Sequence, residues 1–152
     1  MDVQLPAKLK NMDTNNKSKL TIKADVLAPI DQVWDFWIKP ESIVQWCHAS
    51  DDWHATHAEN DLQVGGKFLT RMEAKDVSFG FDFEGIYEIV KHREEIQYVL
   101  ADDRKVKIIF ESVDGQTRIT ETFDAEEENP LEMQQKGWQA ILNNFKKFAE
   151  EN

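Results

Sequence analysis

Cys47, His48, His54 and His57 lie close together in this sequence, and thiolate and imidazole are common zinc ligands. A compact structural zinc site pairs ligands roughly two to four residues apart in two separate groups, which this run does not do. On a strand, His54 and His57 would face opposite sides, whereas in a loop they could converge. The expectation is a surface loop and no metal. Cys47 beside His48 also raises a nucleophile and base, but chain neighbours rarely reach that geometry and no orienting third group is evident. Cys47 is expected to pack as a small apolar residue. Gly65-Gly66 lacks the Lys-Ser/Thr and the strand-to-helix context of a phosphate loop, so it reads as a turn. Asp51-Asp52, Asp102-Asp103 and Glu126-Glu127-Glu128 are acidic turns that match no calcium-loop pattern. These residues predict no catalytic set, no metal and no cofactor.

Glu121 is a different kind of candidate. It shares strand phase with Ile119 and Phe123. If that phase points inward, a carboxylate sits among apolar side chains, its pKa rises, and it needs a donor such as Tyr87, Tyr98 or a ligand group. Such a residue could orient a ligand or act as a general acid or base. The plainer alternatives are a strand end, a bulge that reverses the phase, or pairing with a surface Arg or Lys. The aromatic residues pose the same choice. Five Trp, nine Phe and two Tyr are many for 152 residues, and they either fill a core or line a pocket.

The elements that would position these residues follow from periodicity. Leu20, Ile22, Ala24 and Val26 alternate with polar positions and predict a half-buried strand ended by Pro29. Val33, Trp34, Phe36 and Trp37 predict a helix that stops at Lys39-Pro40. A short second helix over 41–46 places Ile43 and Trp46 on one face. Strands are expected over 52–58, 67–74, 79–90 and 94–100, then along Val106, Ile108 and Phe110, and along Thr117, Ile119, Glu121 and Phe123. Tyr87 and Ile89 share the phase of Phe81 and Phe83. Asp114-Gly115 is the strongest hairpin signal in the chain. About four of these strands run consecutively through short turns, which predicts an antiparallel meander. Leu131, Gln134, Trp138, Ile141, Phe145 and Phe148 follow a three-four rhythm, an amphipathic helix that must lie on something apolar.

Composition narrows the function classes. A 152-residue chain suits one domain with a sizeable core. The net charge of −11 disfavours nucleic acid and anionic lipid as partners. No apolar run reaches the length of a membrane span. The lone Cys47 suits a reducing compartment, and Met1 to Lys19 has no signal-peptide core, so a cytoplasmic protein is expected. Residues 1–17 are expected to form a flexible tail and 18–152 the domain.

Several stretches together resemble the activator-of-Hsp90-ATPase-like (AHSA1-like) family of the START-like, or SRPBCC, superfamily. Ile30-Asp31-Gln32-Val33-Trp34 resembles the start of its first helix, and Pro40-Glu41 with Trp46 its second. Asp61 to Phe68 resembles its acidic, double-glycine turn into a strand. Phe83-Glu84-Gly85-Ile86-Tyr87-Glu88-Ile89 resembles its glycine-centred strand, and Gly137-Trp138 with Leu142 its C-terminal helix. The resemblance covers roughly residues 20 to 150 and no single piece carries it; order and spacing do. It implies an α+β helix-grip fold: a curved antiparallel sheet around a long C-terminal helix, with two short helices after the first strand. It also implies a hollow between sheet and helix that holds an apolar or lipid-like small molecule. The expected cavity residues are Trp46, Phe68, Phe81, Phe83, Tyr87, Tyr98, Phe110, Glu121, Phe123 and Trp138. The family's namesake co-chaperone acts with a separate N-terminal domain, and only a short tail precedes the first expected strand here. The expected partner of this chain, a monomer, is therefore a small apolar ligand, with an Hsp90-type chaperone ranked below it. A protein-interaction module and an enzyme working on an apolar substrate in the same hollow are the alternatives, the enzyme being less favoured than plain binding.

Overall fold

The computed structural model describes residues 18–152. The expected tail, 1–17, lies outside the described residues. Strand β1 (Lys19–Val26) is followed by helices α1 (Ile30–Ile38) and α2 (Pro40–Trp46). Strands β2 (Trp53–Asn60), β3 (Lys67–Ala74), β4 (Gly80–Lys91), β5 (Glu95–Leu100), β6 (Lys105–Val113) and β7 (Gln116–Asp124) come next, and helix α3 (Leu131–Glu151) closes the chain. All seven strands form one curled antiparallel sheet in the order β1-β7-β6-β5-β4-β3-β2. This is the α+β helix-grip arrangement.

The break between the short helices has a local cause. Proline disfavours the α region for the residue before it, and Lys39 is extended (φ −82°, ψ 128°) ahead of Pro40. Pro40 then opens α2, where its missing N–H leaves no gap in the hydrogen-bond ladder. At the other end of the sheet, Asp114 and Gly115 both take positive φ (54° and 80°), the geometry of a two-residue hairpin turn between β6 and β7.

The meander is longer than the expected four strands or so, because β2 through β7 pair consecutively. The 61–66 connection is a hairpin between β2 and β3, in keeping with Gly65-Gly66 as a turn. Gly66 lies so close to Asp61 that an added Cβ would meet the Asp61 carbonyl oxygen at 2.1 Å. A second difference lies in β4. The register shifts between Tyr87 and Ile89, so Val90 stands opposite the buried Ile96 while Ile89 stands opposite Gln97. The bulge reverses the inward row, and Val90 instead of Ile89 reaches the core.

Helix α3 buries Leu142, Phe145 and Ala149 against β1 and the two short helices. Full burial of a Leu or Phe side chain contributes roughly 1.5–3 kcal/mol. The helix also covers the free edge of β1. Gln139 Nε2 donates to the Lys23 carbonyl at 3.0 Å, Lys146 Nζ donates to the Asp25 carbonyl at 2.7 Å, and Leu27 N–H donates to the Glu150 carboxylate at 2.8 Å. An edge strand otherwise presents unpaired backbone groups to other chains. Leu131, expected in the apolar stripe, is exposed. Gln134 is the buried residue of that first turn. It accepts from Glu126 N–H at 2.8 Å and donates to the Asn129 carbonyl at 2.7 Å, which ties the preceding loop to the helix.

Candidate functional site

A cavity of about 280 Å³ lies between the sheet and the three helices. Beta pleating supplies its sheet side. Phe68, Thr70 and Met72 are alternate residues of β3 and all face inward, as do Tyr98 of β5 and Glu121 of β7. The helix side is Trp37, Ile43, Trp46, Trp138, Ile141 and Leu142. Gly85 shapes the wall. A Cβ there would stand 2.8 Å from both the Phe68 ring and the Val99 carbonyl oxygen, so only glycine leaves room for that ring. Phe68 then meets Tyr98 edge-on at 4.6 Å and lies 5.4 Å from Tyr87 and 5.6 Å from Phe83. Phe81 and Glu59 also border the space and are exposed, so the cavity opens to solvent beside them.

Of the ten residues expected here, the structure brings Trp46, Phe68, Phe81, Phe83, Tyr87, Tyr98, Glu121 and Trp138 to the cavity wall. Phe110 and Phe123 face the same interior but stand behind the wall. Phe123 stacks on Trp138 at 4.0 Å and 10°, so the indole covers it. Phe110 packs edge-on against Trp34 and Trp37, at 5.2 and 5.6 Å. The wall also holds residues outside those ten, among them Trp37, Thr70, Met72, Ile96 and Arg104. Thr70 and Met72 share the phase of Phe68 and were readable from it. Arg104 sits in the β5–β6 turn and carried no such signal.

Glu121 is 5% exposed. Its cross-strand neighbours are Ile22 on β1 and Ile108 on β6, and its inward neighbours along β7 are Ile119 and Phe123. The sheet therefore offers its carboxyl no polar partner, and among the described residues it makes no hydrogen bond or ion pair. Burial alone pushes this carboxyl up to about 8. Tyr98 and Cys47 also line the hollow, within reach of the Glu121 charge. Burial raises the Tyr98 hydroxyl well above its ordinary value, and the Glu121 charge adds to that. Burial, then Glu121, push the Cys47 thiol up to about 12, so it is an inert thiol and not a nucleophile. The other tyrosine is held differently. Tyr87 donates to Asn60 Oδ1 at 2.5 Å, and Asn60 Nδ2 donates to the Ile38 carbonyl at 2.7 Å. Arg104 Nε donates to Asp102 Oδ2 at 2.7 Å. Glu121 and Tyr98 thus stand among the polar groups of the wall that have no hydrogen-bond partner among the described residues, with Thr70 beside them, and Glu121 is the one buried carboxyl of that set.

The histidines do not converge on a metal. His54 and His57 lie on β2, where a strand over 52–58 was expected, and not in a surface loop, and a bulge between Ala55 and His57 breaks the simple alternation. His57 pairs with Glu59 at 2.7 Å on the exposed face. His48 lies within reach of the Asn144 side chain at 3.0 Å, and burial lowers its pKa. Among the described residues no three His, Cys, Asp or Glu side chains group to hold a metal ion. Among them, too, no helix is long and apolar enough to cross a membrane.

The curled sheet closed by a C-terminal helix over a hollow defines a START-like domain. Residues 27–150 match the family described as activator of Hsp90 ATPase homolog 1-like protein, and the chain belongs to that family. The solution structure of an AHSA1-like protein from Aeromonas hydrophila is 43% identical, with a TM-score of 0.83, and the match covers 88% of this chain and 93% of that one. A solution structure from Cytophaga hutchinsonii is 50% identical over the same shares, 88% and 93%, with a TM-score of 0.77. A crystal structure from Chromobacterium violaceum shares the fold at 19% identity, with a TM-score of 0.79 over 89% of this chain and 99% of that one. No curated protein matches the chain.

Proposed function

We propose that this protein binds a small, largely apolar molecule in the hollow between sheet and α3, as a monomer and without catalysing its conversion. The observation that carries this reading is the space itself. Protein interiors pack to crystal-like density and seldom leave voids larger than a water, whereas about 280 Å³ stands open here inside an aromatic wall. That volume is near the lower end of small-molecule pockets, and a few unpaired polar groups in an apolar lining is how such pockets orient a ligand. A fold of this family commonly binds ligands in this place. A buried free thiol suits a reducing compartment, which favours the cytoplasm. Native mass spectrometry of freshly purified protein, with a denatured control, tests the reading together with a thermal-shift screen of fatty acids, sterols and aromatic metabolites. Co-purifying mass, or stabilisation that grows with ligand concentration as mass action requires, is expected. Bare protein and no shift across the screen would return the hollow to unfilled core.

A second reading, a contact surface for a protein partner such as an Hsp90-type chaperone, has one observation in its favour. Val77 and Phe79, at the β3–β4 turn, are 82% and 74% exposed, and Phe81 beside them is 47% exposed. Phe79→Ser should abolish chaperone binding under this reading and leave cavity binding intact.

A further inference from the structure

We infer that the ligand of this cavity has an apolar body and one cationic amine head, and that Glu121 receives the amine. The inference rests on the binding reading above and adds the chemistry of the ligand. Glu121 is 5% exposed, borders the cavity and has no partner among the described residues. An unmatched buried carboxyl is costly unless something supplies a donor or a counter-charge. Its sheet neighbours Ile22 and Ile108 supply neither.

The other titratable groups around the space give it no counter-charge, and none makes a hydrogen bond to it among the described residues. Cys47, after α2, and Tyr98, on β5, are the groups electrostatically coupled to Glu121, and both are neutral at pH 7. Tyr87, on β4, is committed to Asn60, and Arg104 to Asp102. Glu59, on β2, borders the cavity from the solvent side and adds negative charge there. The residues that α3 contributes, Trp138, Ile141 and Leu142, carry no charge.

An ammonium fits this setting from three sides. It gives the carboxylate its missing counter-ion in a medium of low dielectric, where such an attraction is strong. It finds the rings of Phe83, Tyr98 and Trp138 in the wall, and aromatic rings attract cations. A protein of net charge −11 also draws cations toward its mouth and repels anions. A fatty carboxylate meets the opposite field at each step.

Binding must also move a proton. With the carboxyl raised to about 8, Glu121 is mostly protonated at pH 7. The amine arrives as an ammonium, the carboxyl gives its proton to solvent, and the ion pair remains. Amine affinity therefore climbs by up to about tenfold per pH unit below 8 and levels off above it, until the amine itself loses its charge.

The experiment uses one apolar body with three heads: 4-phenylbutylamine, 4-phenylbutanol and 4-phenylbutyrate. Titration calorimetry at pH 7, in phosphate and in Tris, reads affinity and proton release together. The expected result is an amine that binds at least about tenfold tighter than the alcohol, a butyrate weaker than both, and release of about one proton per amine. Glu121→Gln, which keeps size and polarity, should bring amine and alcohol to within about twofold and abolish the proton release. An alcohol that binds as well as the amine, or an amine preference that survives in Glu121→Gln, overturns the inference and leaves the cavity reading standing. Failure of all three to bind overturns both. Proton release is measured on the native protein, so the test does not depend on the variant folding.

Discussion

Two aromatic regions share this interior, and only one of them is full. At the α1 end, Trp34, Phe110, Trp37 and Phe145 interlock edge to face, with Trp34 to Phe110 at 5.2 Å and Trp37 to Phe145 at 4.8 Å. Phe36 and Phe148 continue the set at 5.2 Å. At the β3–β5 end, Phe68, Phe83, Tyr98 and Trp138 also lie within ring-contact distances, yet they surround about 280 Å³ of space. Ring count does not distinguish the two. The solid end is where a helix presses directly on the inward row of β6. The hollow end is where the sheet curls away from α3 and its rings contact one another around the rim.

The comparison can be broken most directly by truncation. Phe145→Ala should cost about 3–5 kcal/mol, because a fully buried ring is removed from a region that cannot collapse. Phe83→Ala, on the hollow side and half-buried, should cost less than about 2 kcal/mol, since part of its ring already borders empty space. Urea unfolding of the two variants measures both, and equal losses would mean that the two ends do not differ in packing.

The pH dependence of stability sharpens the electrostatic side of the contrast. The carboxyl of Glu121 lies near 4.5 in the unfolded chain and at about 8 in the folded one. A raised folded pKa favours the native state fully below about 4.5. That contribution is lost as pH rises toward 8, by at most about 1.4 kcal/mol per pH unit, and changes no further above it. Glu121→Gln should lack this slope, so denaturant midpoints from pH 5 to 9 should fall more steeply for the native chain than for the variant. Parallel curves would show that Glu121 does not sit desolvated in the fold.

Adding volume tests the same contrast through the sign of the effect. Val33→Leu, at the fully buried solid end, should destabilise by about 1–3 kcal/mol through overpacking. Thr70→Leu, in the cavity wall, should stabilise by up to about 1 kcal/mol, since the added carbons enter free space. It should also weaken any ligand that the cavity holds. Thermal unfolding distinguishes the two by the sign of the shift.

Much of this was legible in the residues. Strand phases set by short turns survived intact: Ile96, Tyr98 and Leu100 face inward, as do Val106, Ile108 and Phe110, and Glu121 between Ile119 and Phe123. Where the backbone inserts an extra residue, the reading failed. At Tyr87/Ile89 the bulge exchanged Ile89 for Val90, and at Ala55/His57 it moved the histidines out of a simple alternation. Period-two patterns carry no trace of a bulge, which depends on the twist the sheet needs as a whole. Arg104 was invisible for another reason, since a turn residue has no phase. The roles of Phe110 and Phe123 turned on which ring lies in front of which, a matter of depth that a one-dimensional pattern lacks.

The sequence by itself determined the order of elements, the inward rows of the strands that carry no bulge, and the family, because those rest on local propensity, on alternation and on turns that each need only a few neighbouring residues. Tertiary structure alone decided that one aromatic cluster is solid and the other hollow, and that Glu121 faces the hollow without a partner. Both depend on which residues from distant parts of the chain come to surround one space, and no local pattern records that.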